Sequence, residues 1–146
     1  MKRYASGAFS IVASVFVVST LGVYNAAAQS DLTTPRPIAG TNTLLIEEMT
    51  WMDVRDALAS GMTTVIVGTG GVEQNGPYVA SGKHNFVLSA TTVATAEELG
   101  NALVAPIVKF VPEGSIDPPR GHMEYHATIS VTQETFEALL TDIVSS

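Results

Sequence analysis

Thr63-Thr64-Val65-Ile66-Val67-Gly68-Thr69-Gly70-Gly71 is a β-branched apolar run that passes directly into a glycine-rich turn. Such a run predicts a strand buried on both faces. The glycines that follow let the backbone approach a ligand closely. In open α/β sheets ligands bind beyond the carboxyl ends of the strands, which makes this turn the first place to look for a site.

Helical signals flank the strand. Upstream, Thr50 stands three residues before Asp53, the spacing of an N-terminal capping box. Trp51, Val54, Ala57 and Leu58 recur at helical spacing, and Gly61 closes the element. Asp53, Arg55 and Asp56 read as the wet face of that helix. Downstream, residues 86–99 read as a helix closed by Gly100. Residues 103–108 form a second apolar strand candidate and 128–131 a third. Between them, residues 110–122 hold three prolines and two glycines, a long loop of the kind that is functional or mobile. Thr132 and Glu134-Thr135 open a last helix with Phe136, Leu139, Leu140, Ile143 and Val144 on one face. Helix, strand and glycine turn in this order predict an α/β fold, a layered parallel-type sheet flanked by helices.

The chain has 146 residues, 46% hydrophobic and 14% charged, enough for one domain with a core and too apolar for disorder. Lys2 and Arg3, the apolar run of residues 8–23 and Ala26-Ala27-Ala28 have the order of a secretory signal peptide, cleaved after Ala28; an uncleaved N-terminal anchor is the alternative. A periplasmic or secreted location follows. Residues 29–43, with Pro35 and Pro37, read as a flexible lead, and residues 44–146 as the folded domain. Removing 1–28 takes away Lys2 and Arg3 and no acid, so the net charge falls from -7 to -9. That acidity argues against nucleic acid and against an anionic membrane as partners of the mature chain. There are no cysteines, so thiolate catalysis and Cys-ligated zinc are excluded.

Two clusters carry chemistry. The first is Gly70-Gly71-Val72-Glu73-Gln74-Asn75-Gly76-Pro77-Tyr78, followed by Gly82-Lys83-His84-Asn85. Glu73 offers a hard oxygen and His84 an imidazole nitrogen, both suited to zinc or manganese. The alternative is a surface turn with a solvated Glu and an incidental His. No phosphate loop is present, because His84 follows Lys83 where Ser or Thr would be needed. The second cluster is Pro118-Pro119-Arg120-Gly121-His122-Met123-Glu124. On extended chain His122 and Glu124 face the same way and could serve a metal or form a general acid and base pair, with His126 in the same alternation. The alternative is an exposed polar loop.

These blocks resemble the creatininase family. The likeness runs through Leu45-Ile46-Glu47-Glu48-Met49-Thr50-Trp51, Thr64-Val65-Ile66-Val67, the Glu73-Gln74-Asn75-Gly76-Pro77 block and Gly82-Lys83-His84-Asn85. It continues in order through Pro112-Glu113-Gly114-Ser115, Gly121-His122 and Thr128-Ile129-Ser130-Val131, covering residues 44–144. The resemblance implies a creatininase-like α/β fold and hydrolysis of a cyclic or linear amide C–N bond at a paired divalent metal centre, zinc or manganese. It implies metal contacts from Glu73, Asn75 and His84, and a metal-binding or proton-shuttling role for His122 or Glu124. Asn75 stands where the family's first block has His, and His84 where it has Asp. Tyr78 replaces a His, and Tyr125-His126-Ala127 replaces Phe-Pro-Gly.

The family continues after the last helix with a strand and a His-Gly-Gly-Asn-type block, so the resemblance implies a C-terminally truncated, N-terminal portion of the domain. The expected partners are a small-molecule amide and further copies of the chain. A non-catalytic fragment or small-molecule-binding remnant is the alternative expectation.

Overall fold

The computed structural model describes residues 32–146. The signal peptide expected at 1–28 lies outside the described residues. Among those described, no helix is long and apolar enough to cross a membrane.

Helix α1 spans Trp51–Ala59 and begins with the expected box: the Asp53 N–H donates to Thr50 Oγ1, and the Thr50 N–H donates to Asp53 Oδ2. This satisfies two of the orphan donors at the helix start. Its supposed wet face is in part covered. Asp53 is buried, because the lead segment lies across it. That segment is irregular, as Pro35 and Pro37 require, but it is tied down rather than free. Arg36 Nη2 meets Asp53 Oδ1 at 2.8 Å and Arg36 Nε meets Asp56 Oδ2 at 2.9 Å. The Thr41 N–H donates to Asp53, and Arg55 donates to the carbonyls of Leu32 and Thr34.

Strand β1, Thr64–Ile66, pairs in parallel with β2, Ala102–Val104, in the register Thr64↔Ala102, Val65↔Leu103, Ile66↔Val104. Helix α2, Lys83–Leu99, crosses between them and ends on Gly100 in the left-handed region. β2 is central, because Leu45 bridges Val104 from its other side. The core gathers there: Ala96, Ala102 and Val104 are buried, with Leu44, Leu45 and Ile66 packed against them.

The placement of β2 overturns one expectation. β1 lies at the edge of the sheet and is not buried on both faces; Val65 is 53% exposed. A β-branched run specifies a strand, but burial is decided by its neighbours. The expected second strand is shorter than residues 103–108, since Pro106 has no N–H to donate. Only the isolated bridge Thr69↔Val108 extends the pairing. The expected third strand is reduced to an antiparallel bridge, Val72↔Ile129. Helix α3, Gln133–Ser145, is capped by Thr132, whose hydroxyl accepts from the Thr135 N–H. None of its residues is buried.

Candidate metal centre

Beyond β1 the chain is held in a fixed turn. The Gly70 N–H donates to the Val108 carbonyl and the Val108 N–H to the Gly68 carbonyl. Asn85, in the first turn of α2, grips Gly71 from both sides: its Oδ1 accepts from the Gly71 N–H at 3.2 Å, and its Nδ2 donates to the Gly71 carbonyl at 2.9 Å. The two glycines are required. A Cβ on Gly70 would meet the Asn85 side chain, and a Cβ on Gly71, whose φ is +151°, would meet Glu113 Oε1. The Glu73 N–H then donates to the Ser81 carbonyl and the Gln74 N–H to Thr128 Oγ1, which fixes the backbone around Glu73.

Helix α2 begins at Lys83, three residues before the expected start, so His84 is a helical side chain with a defined direction. Its Nε2 lies 2.7 Å from Glu73 Oε1. His122 Nε2 approaches the other oxygen, Oε2, at 3.4 Å. The Glu73 side chain is 13% exposed. Glu113 hydrogen-bonds Glu73 from the loop after β2. Burial, the hydrogen bond to Glu73 and the Glu73 charge together push the Glu113 carboxyl up to about 7. Glu73 is held below its usual value, first by the proton it accepts from Glu113, then by His84 and by the charge of His122. Two carboxyl groups this close favour a single proton shared between them.

The Glu113 loop is itself anchored. The Glu113 N–H donates to Ser130 Oγ, and the His122 N–H donates to the Glu113 carbonyl. An open cavity of about 260 Å³ lies beside the cluster, lined by Thr69, Gly70, Glu73, His84, Val87 and Glu113 among others.

Of the residues expected in the site, Glu73, His84 and His122 come together. Asn75 does not join them through its amide, which donates to the Glu73 backbone carbonyl at 3.0 Å. Glu124 does not face the same way as His122. Residues Gly121–Glu124 form a 3-10 turn, in which side chains two apart diverge, and Glu124 is exposed. His126 is exposed as well. Glu113 was not singled out as a site residue. Its signal was indirect: a lone acid in the Pro112-Glu113-Gly114 turn, with a glycine required opposite it at Gly71.

Two imidazoles and two carboxylates are a donor set suited to zinc or manganese. His122 Nδ1 is buried without a hydrogen-bond partner, a polar atom with unused capacity. Among the described residues no three His, Asp or Glu side chains are already arranged to hold an ion. The four groups pair with one another instead.

No curated protein matches the chain in sequence. The fold is similar to that of a zinc-zinc form of a creatininase glutamate-to-glutamine mutant, with TM-score 0.60 and 22% identity over 71% of this chain. It is also similar to a creatinine amidohydrolase, with TM-score 0.59 and 23% identity over 71% of this chain, and to a manganese creatininase, with TM-score 0.58 and 24% identity over 70%. The chain spans 40%, 39% and 39% of those three chains in turn. Residues 47–146 match the family model described as creatininase, creatinine amidohydrolase. By that match, over more than half of its length, the chain belongs to the creatininase family.

Proposed function

We propose that the protein is an exported, metal-dependent amidohydrolase that opens a cyclic or linear amide C–N bond in a small molecule. The carrying observation is the meeting of Glu73, His84, His122 and Glu113 at the carboxyl end of β1, beside a cavity. Glu73, His84 and His122 would hold the ion. Zinc and manganese are the candidates, since the similar structures carry them and this donor set suits both. Bound there, an ion would supply Lewis-acid polarisation of the amide carbonyl and would acidify water.

The chain's own residues do the rest. Asn85 and the two glycines fix the turn, so the Glu73 carboxylate keeps one position. Glu113 can hold a proton near neutral pH, within reach of Glu73. Proton transfer between water and leaving nitrogen falls to groups in this cluster rather than to the exposed Glu124. Periplasmic or secreted placement rests on Lys2-Arg3, the apolar run and Ala26-Ala27-Ala28. Self-association is supported by α3, where Leu139 and Val144 are exposed on an apolar face.

A second reading, a small-molecule-binding protein without catalysis, is favoured by Asn75, whose amide is engaged by its own loop at a family ligand position. Titration with zinc and manganese, followed by assays on lactams, cyclic ureides and linear amides, separates the two. Metal-dependent turnover lost in Glu73→Ala supports the hydrolase. Ligand binding without turnover at any metal loading supports the second reading.

A further inference from the structure

The two acids of the cluster come from different parts of the chain. Glu73 follows β1, and Glu113 follows β2. Glu113 is held in place from three directions. Its N–H is bound by Ser130, its carbonyl accepts from His122, and its carboxyl fills the space left open by the missing side chain of Gly71. A loop acid with no function would turn to water, where a carboxylate is most stable. This one is directed inward against another acid. Beside it, His122 Nε2 lies 3.4 Å from Glu73 Oε2, so the second loop brings both an oxygen and a nitrogen donor to the same place.

We propose that Glu113 is a direct metal ligand, and that the centre is built as two pairs, Glu73 with His84 and Glu113 with His122. This rests on the metal-dependent reading above and deepens it. A centre so divided joins the turn after β1 to the loop of residues 110–122, so the ion ties the two segments together. Two carboxylates and two imidazoles also neutralise a divalent cation without help from Asn75 or Glu124.

The rival role for Glu113 is orientation of Glu73 by hydrogen bonding, without touching the ion. Cobalt(II), added to the purified protein, separates the roles, because its visible spectrum reports the atoms bound to it. A Gln at 113 can still donate to Glu73 but lacks the anionic oxygen. Direct ligation predicts that Glu113→Gln shifts the cobalt bands and weakens binding by more than about 100-fold, beyond the ~10- to 100-fold typical of an outer partner. Glu113→Asp should recover part of the affinity. An unchanged spectrum in Glu113→Gln, with the fold intact by circular dichroism, overturns the assignment and leaves the metal centre standing. If the unmutated protein binds cobalt no better than Glu73→Ala, the metal reading itself fails, and this assignment with it.

Discussion

Arg36 reaches out of the lead segment to place its guanidinium on Asp53 in the first turn of α1, Nη2 to Oδ1 at 2.8 Å, with only 4% of the Asp53 side chain exposed. Asp53 therefore serves twice, as the capping partner of Thr50 and as the anchor of the chain before the fold. The Thr50 hydroxyl and N–H, then the Thr41 N–H and Arg36, hold its carboxyl well below the usual carboxylate range. An acid depressed in the folded state stabilises the fold above its unfolded pKa of about 4, and that contribution is lost as pH falls below it. Urea midpoints measured between about pH 2 and pH 7 should drop on the acid side. Asp53→Asn should lower the midpoint at neutral pH and flatten that acid limb. A variant with an unchanged limb would show that other acids control it.

Arg36→Ala leaves the cap intact and removes the anchor. It should lower the melting temperature by several degrees and speed amide exchange in residues 32–43, with little effect on α2. Hydrogen-exchange mass spectrometry reads both regions in one experiment.

Gly71 and Gly76 both have positive φ, but only one faces a neighbour. A Cβ at Gly71 meets Glu113, whereas nothing lies within 4 Å of one at Gly76. Gly76→Ala, at φ +75°, should cost roughly 1–2 kcal/mol of backbone strain and leave metal binding unchanged. Gly71→Ala should displace Glu113 and abolish tight binding. Calorimetric titration with zinc, beside a urea melt of each variant, distinguishes loss of the site from loss of the fold.

The parts of this molecule that were legible in sequence are those decided locally. The Thr50–Asp53 box, the Gly100 stop and the strand at Val65-Ile66 depend on residues a few positions apart, and all three are present. What could not be read depends on contacts far along the chain. Val65 is exposed because α2 packs on β2 rather than on β1, and Asp53 is buried because Arg36, seventeen residues earlier, covers it. The site divides in the same way. Glu73 and His84 stand out by residue type beside a glycine turn, while Glu113 gains its meaning only from a contact forty residues away in sequence. His122 and Glu124 share a face only on extended chain, and the 3-10 turn separates them.

Ala127 is the only non-glycine residue with positive φ among those described, at 67°. It occupies the last position of Tyr125-His126-Ala127, where the family pattern has glycine. An L side chain in the left-handed region costs roughly 1–2 kcal/mol, and a glycine recovers this less its greater unfolded-state entropy. Ala127→Gly should therefore stabilise the protein by about 0.5–1 kcal/mol, seen as a higher urea midpoint at unchanged slope. A lower midpoint would mean that the Ala127 methyl makes a contact worth more than the strain.

Glu113 gives the opposite pH signature to Asp53. Its carboxyl is raised to about 7 in the folded chain, against an ordinary value of 4.5. Below 4.5 both the folded and unfolded forms carry the proton, and the group has no influence on stability. Between 4.5 and 7 the folded form still holds the proton that the unfolded form has released, so stability falls as pH rises through this window. Above 7 the full cost of two adjacent carboxylates is present. In chelator-treated protein the urea midpoint should decline from pH 5 to pH 7 and then level off. Glu113→Gln should remove most of the decline, since an amide donates to Glu73 at every pH. Saturating zinc should remove it too, because a cation between Glu73 and Glu113 replaces the proton that keeps them together. A decline that survives both Glu113→Gln and zinc would place the titrating group elsewhere and separate the pH response from the metal centre.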